Sequence, residues 1–131
     1  MKEQYPIALI FSVFKPSADN LTNLSKHYRA MVDLKVKGIP FKIVEGQYKG
    51  NSERSFIVFG NRGVELGKRI ALDANQESVL FLNQDRDAIL IECKTGIETA
   101  LGKFKAVPEH VAKQSTGWTF DNTTNRFFIC E

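Results

Sequence analysis

Tyr48 and Glu53 stand five positions apart in the polar segment Glu45-Gly46-Gln47-Tyr48-Lys49-Gly50-Asn51-Ser52-Glu53-Arg54-Ser55-Phe56. A phenol can donate a hydrogen bond, and a carboxylate can bind an ammonium group or take a proton from water. Gly46 and Gly50 bound a polar loop from Gly46 to Ser52, with Glu53 at the mouth of the strand that follows. The plainer reading is a solvated hairpin loop whose Glu53 pairs with Arg54 or a lysine. Ser12, inside an otherwise apolar run, and Gln76, just before another, are the other polar residues in odd places. Taken singly, each satisfies a neighbouring backbone group more often than it binds a ligand.

The remaining residue types narrow the chemistry. His27 and His110 are isolated, so zinc binding or a Ser-His-Asp triad has little support, and His27 reads as a solvated or capping helix residue. No Gly-x-Gly-x-x-Gly follows a strand, and there is no phosphate-binding Walker loop. Cys93 and Cys130 form no metal or redox motif and read as inert packing residues of a reduced, cytoplasmic protein. A net charge of +3, spread along 131 residues, gives no stripe for nucleic acid. The apolar run Ile7 to Phe14 is too short to span a bilayer, and no cleavage site follows it. With 43 % hydrophobic residues, the chain is expected to fold as a single domain over residues 1–131.

Elements that could position these residues follow in order. Ile7 to Phe14 reads as a strand. Leu21, Leu24, Tyr28, Met31 and Val32 recur at spacings of three and four, which predicts a helix from Asn20 to about Lys37 with Asp19 or Asn20 as cap. Phe41 to Gly46 alternates as a second strand, and Ser55 to Phe59 is a third. Gly60-Asn61 opens a second helix with Val64, Gly67, Ile70, Ala71 and Ala74 inward. Val79 to Leu82 and Ala88 to Ile91 are strands joined by the turn Asn83 to Arg86. Lys94 to Ser115 is ambiguous in pattern, a short helix over Glu98 to Lys105 being one reading. Trp118 to Phe120 pairs with Arg126 to Cys130 across Asp121 to Asn125.

The order β-α-β-β-α-β is that of a ferredoxin-like sandwich, an α+β fold, with extra C-terminal strands. Right-handed crossovers place both helices on one face of such a sheet. Yet Ile7 to Phe11, Phe56 to Phe59, Val79 to Leu82 and Ala88 to Ile91 are apolar on both faces. A second face without cover calls for the tail and another subunit, so the expectation is a homo-oligomer.

An ordered set of segments carries a family resemblance. It begins with Phe11-Ser12-Val13-Phe14-Lys15-Pro16-Ser17 and Asn23-Leu24-Ser25-Lys26-His27-Tyr28-Arg29-Ala30-Met31-Val32. It continues through Gly46-Gln47-Tyr48, Glu53-Arg54-Ser55, Arg69-Ile70-Ala71, Gln76-Glu77-Ser78-Val79-Leu80 and Phe104-Lys105-Ala106-Val107-Pro108. Together these resemble the phage enzymes that degrade S-adenosylmethionine (SAM), formerly called SAM hydrolases and now SAM lyases. The resemblance implies a PII-like homotrimer of ferredoxin-like subunits, with SAM bound between neighbours. It implies catalytic roles for Tyr48 and Glu53. It places Ser12, Phe14 and Gln76 in the lining of the substrate pocket, with Gln84 a further candidate. An anti-restriction role through loss of SAM is implied as well.

The reaction so implied needs neither metal nor cofactor. The sulfonium is a leaving group on the γ-carbon of the methionine chain, and the substrate's own carboxylate can close a five-membered ring there. The products are 5′-methylthioadenosine and homoserine lactone. Glu53 then anchors the α-ammonium and Tyr48 donates a hydrogen bond; in a hydrolase Glu53 would instead activate water. A trimer that binds SAM or an adenine nucleotide without turnover is the alternative from another class.

Overall fold

The structure, a computed structural model, describes residues 5–48 and 51–131, the side chains of Tyr48 and Asn51 excepted. Its elements run β1 (Ala8–Phe11), α1 (Asn20–Val36), β2 (Phe41–Tyr48), β3 (Asn51–Phe59), α2 (Gly60–Asp73) and β4 (Ser78–Leu82). There follow β5 (Asp87–Glu92), β6 (Glu98–Val107), α3 (Glu109–Lys113), β7 (Gly117–Asp121) and β8 (Arg126–Cys130). Among the described residues no helix is long and apolar enough to cross a membrane.

The strands pair in the order β1-β3-β2-β7-β8-β6-β5-β4, and β4 returns to β1, closing a barrel of antiparallel pairs. This overturns the ferredoxin-like, PII-like sandwich expected from the element order. The C-terminal strands are not appended to an open sheet; they bridge its two edges, β2 and β4. Closure also resolves the two-sided strands. Leu9, Phe11, Phe56, Val58 and Val79 pack against Ala30, Leu34, Val64 and Ala71 of the helices. The alternate residues Ala8, Ile10, Val44, Leu82 and Ala88 pack with Ile57, Phe59, Leu80, Leu101, Phe104 and Cys130 in the interior. The second apolar face is therefore covered by the chain's own later strands, and the argument that it demands another subunit falls away.

Glu98 to Lys105, for which a short helix is one reading of an ambiguous segment, lies within β6. Leu101 and Phe104 are three apart, a helical spacing, yet both reach the barrel interior. A β-bulge makes this possible: Ala88 pairs with Gly102 and Ile89 with Ala100, so Leu101 is an extra residue that shifts the alternation. Gly102 takes φ +88, a conformation open to glycine at little cost.

Helix α1 begins where expected, with the Asp19 carboxylate accepting from the Thr22 N–H at 2.7 Å. Its faces are a correction. The buried row is Asn23, His27, Ala30 and Leu34, whereas Leu21 and Tyr28 from the predicted inner face are 76 % and 62 % exposed. Helix α2 packs as predicted through Val64, Gly67 and Ala71, so tightly that a Cβ at Gly67 would lie 2.8 Å from Leu9 Cδ2. The thiols of Cys93 and Cys130 are free, and burial pushes the pKa of each upward, which disfavours the thiolate form.

Candidate active site

The β1–β3 ladder ends at the pair Phe11 and Phe56. Beyond it the chain from Ser12 to Lys15 leaves the sheet, and its backbone groups need other partners. Ser12 Oγ donates to the Arg54 carbonyl at 2.9 Å and accepts the Phe14 N–H at 3.0 Å. Gln76 Nε2 donates to the Phe14 carbonyl at 2.8 Å. The Asn23 amide takes both the N–H and the carbonyl of Lys15, at 2.9 and 3.0 Å. Ser12 and Gln76, singled out in the sequence, thus hold the backbone around Phe14. They shape a wall and leave the half-buried Phe14 ring as its face.

Glu53 belongs to β3 itself. The predicted loop from Gly46 to Ser52 is mostly ladder: Gly46 pairs with Glu53, Gln47 with Ser52 and Tyr48 with Asn51. Polar residues are tolerated there because strand alternation sets Glu53 in the row of Ser55, Ile57 and Phe59. The last two of these face the barrel interior. Glu53 is therefore the polar end of an apolar row at one rim of the barrel, and Ser12 ends the parallel row of Ala8 and Ile10.

The electrostatics single out this carboxylate. Burial pushes the Glu53 pKa up, and the nearby Ser12 hydroxyl pulls it down by less. Ser12 has one proton, already donated to the Arg54 carbonyl, so its help to the carboxylate is limited. The pairing of Glu53 with Arg54 suggested by the sequence is not formed. Neighbours on one strand point to opposite faces, and Arg54 instead approaches Glu45 across the ladder at 3.9 Å. No described residue forms an ion pair with Glu53.

Phe14, Gln76, Ser12 and Glu53 are thus brought to one rim. Tyr48 comes near through register alone, opposite Asn51 and two positions from Glu53 along β3; its side chain lies outside the described residues. Gln84 is not brought in. It sits exposed in the β4–β5 turn, beside the Ala8–Leu82 end of the β1–β4 ladder, while Glu53 lies past the other end of β1. The residue that the sequence reading missed is His27, 6 % exposed and neither solvated nor capping. It stacks on Phe56 at 4.3 Å and meets Phe14 edge-on at 5.7 Å. Its signal was the row Asn23, His27, Ala30, Leu34 at helical spacing, masked because half of that row is polar.

Among the described residues no group of three or more His, Cys, Asp or Glu could hold a metal ion. A groove of about 660 Å³ runs between α1 and α2, lined by Tyr28, Val32, Val36 and Ile70, and reaches Val13 without touching Glu53. The rim can offer a carboxylate held close to apolar surface, an aromatic wall and a rigid backbone. Such a set suits a cationic substrate with an aromatic part. Residues 9–131 match the S-adenosylmethionine lyase family. No curated protein matches the chain.

Proposed function

This chain belongs to the S-adenosylmethionine lyase family and is an S-adenosylmethionine lyase, and we propose that it releases 5′-methylthioadenosine and homoserine lactone by turning the substrate upon itself. The substrate carboxylate attacks its own γ-carbon, an oxygen–carbon bond forms, and the carbon–sulfur bond breaks. The bonding pair leaves with sulfur, which becomes a neutral thioether. No proton moves in this step, and the lactone keeps the α-ammonium.

Since the nucleophile and the leaving group are already in one molecule, the protein's work is conformational. Fixing a near-attack geometry contributes up to about 7–11 kcal/mol in well-oriented intramolecular reactions. Glu53 anchors the α-ammonium and so turns the carboxylate toward the γ-carbon. Phe14 supplies the wall for the adenine or the sulfonium, and Ser12 and Gln76 keep that wall in place. For Tyr48 the role proposed is a hydrogen bond donated to the substrate. The observation that carries this reading is the Glu53 carboxylate, half-buried at the end of an apolar row with no described cation beside it. An acid so placed is matched to an ammonium brought by a ligand.

The active assembly in this reading is a homotrimer with the site completed by a neighbouring copy. The exposed row Leu21, Tyr28 and Val36 on α1 supports association of copies, because apolar side chains in line along a helix lose water when covered. Consumption of SAM in a host cell would starve its methyltransferases, which suits a phage protein directed against restriction. Products sampled within the first turnovers test the chemistry. Methylthioadenosine with lactone is expected; homoserine preceding any lactone would assign the attack to water, and no methylthioadenosine would remove the reading.

A further inference from the structure

His27 is a buried titratable group that the scheme above does not use. Both of its ring nitrogens are buried without a hydrogen-bond partner. Such atoms are rare in folded proteins, because the lost hydration is not returned, and each calls for a reason. Phenylalanine would fill the same slot without that loss. The surroundings of the ring supply a reason. One face lies on Phe56, nearly parallel at 13°, and Phe14 meets it at 84°. Phe14 is thereby gripped at three places: its N–H by Ser12, its carbonyl by Gln76 and its ring by His27.

We propose that His27 is a positioning residue of the SAM site: its uncharged imidazole, set between Phe56 and Phe14, holds the Phe14 ring in place, and protonation releases it. The inference rests on the reading that Phe14 walls the substrate. A proton added to His27 creates two charged donors that still lack partners. The charged groups around it make matters worse. Arg54 faces it from β3, and its cation together with burial holds the His27 pKa below the usual imidazole range, burial being the larger cause. Glu53, the residue before Arg54 on that strand, points to the opposite face. Lys15, after β1, is tied by its backbone to Asn23, one helical turn before His27. Gln76, after α2, is uncharged, and Lys26 and Arg29 flank it on α1. The aromatic faces return part of the cost through cation–π contact, but a charged ring regains water only by leaving the slot between Phe56 and Phe14, which ends its contact with Phe14.

Steady-state turnover of SAM against pH, with a Phe-ring-labelled sample followed by NMR, tests this. In the unmodified protein the acid limb of kcat/KM should be a two-proton process, one from Glu53 and one from His27, with the His27 component carried by KM. His27→Phe keeps the stack, so it should raise KM only a few-fold, about threefold at pH 8, and reduce the limb to one proton. His27→Gln keeps polarity without a ring and should raise KM about tenfold or more at every pH. A His27→Phe limb identical to that of the unmodified protein would make His27 mere filling and overturn the proposal. The NMR arm needs neither variant nor turnover: the Phe14 ring signal should move as His27 titrates. A Phe14 signal that stays fixed through that titration also overturns it. Coupled titration in a protein that makes no methylthioadenosine would instead leave this coupling standing and remove the catalytic reading of the rim.

Discussion

Ser12 and Arg54, 42 residues apart, are joined by a hydrogen bond of 2.9 Å from the serine hydroxyl to the arginine carbonyl. The bond extends the β1–β3 connection one step past the last ladder pair, using a side chain where the backbone has already turned away. It locates the Phe14 wall relative to Glu53, since Glu53 is the residue before Arg54.

Removing that hydroxyl tests the link. Ser12→Ala leaves the Arg54 carbonyl and the Phe14 N–H without their partner. A cost of about 1–3 kcal/mol in chemical denaturation is expected, together with a raised KM for SAM. Ser12→Thr retains the oxygen and should recover most of both. A rise in KM without loss of stability would mean that Ser12 touches substrate instead of backbone.

Glu53→Gln separates function from folding. A charge-assisted contact to the substrate ammonium is worth about 1.5–3 kcal/mol, so turnover should fall by at least about tenfold. The fold should be no less stable, and at pH 8 slightly more so. Burial raises the Glu53 pKa, so the charged form is the less favoured one in the folded protein. Product chromatography and a thermal melt on the same sample check both. A melting point lowered by several degrees would make Glu53 structural.

The same shift fixes the direction of the pH response. The anchor works as a carboxylate, so kcat/KM should fall as pH drops through a midpoint above the ordinary 4.5 of a glutamate. In Glu53→Asp the limb should persist, whereas in Glu53→Gln the residual activity should lose that component. A midpoint below 4.5 would contradict the burial seen here.

Gly67→Ala should loosen α2 from the barrel. The added Cβ would lie 2.8 Å from Leu9 Cδ2 and 3.0 Å from Phe11 Cε1. Overpacking of this kind costs about 1–3 kcal/mol, measurable as a lower denaturant midpoint with an unchanged slope. A neutral substitution would show that the helix can shift freely over β1.

Gly102→Ala bears on barrel closure. The position combines φ +88 with a Cβ direction that runs into the backbone of Glu131. Lys103 and Glu131 exchange both backbone hydrogen bonds, each at 2.9 Å, beside it. Strain of about 1–2 kcal/mol from the backbone alone is expected, with more from the displaced C-terminus. Amide hydrogen exchange should quicken in β6 and β8 before it does in β3. Unchanged protection in those strands would argue against closure through the C-terminus.

The elements were legible wherever local chemistry decides them. Asp19 caps α1, Val64, Gly67 and Ala71 face inward on α2, and the β7–β8 hairpin pairs as the alternation around Trp118 and Phe127 requires. Tyr48 and Glu53 stood out as polar residues beside apolar strands, though Tyr48, read as a loop residue, proved to lie in the ladder, and Glu53 within the strand whose mouth it was expected to mark. Glu98 to Lys105, for which a short helix is one reading, lies in a strand whose bulge brings Leu101 and Phe104, three apart, to one face.

What composition and periodicity determined by themselves was most of the helices and strands, β6 and α3 excepted, and that several strands are apolar on both sides. They could not determine what covers each side, because burial patterns record the loss of water and not the identity of the partner. Tertiary pairing decided that the second face turns inward on a barrel closed by β5 to β8. It also decided that α1 buries Asn23 and His27 and exposes Leu21 and Tyr28. Those choices depend on contacts between residues far apart in the chain, and from them come both the rim at Glu53 and the ring that holds Phe14.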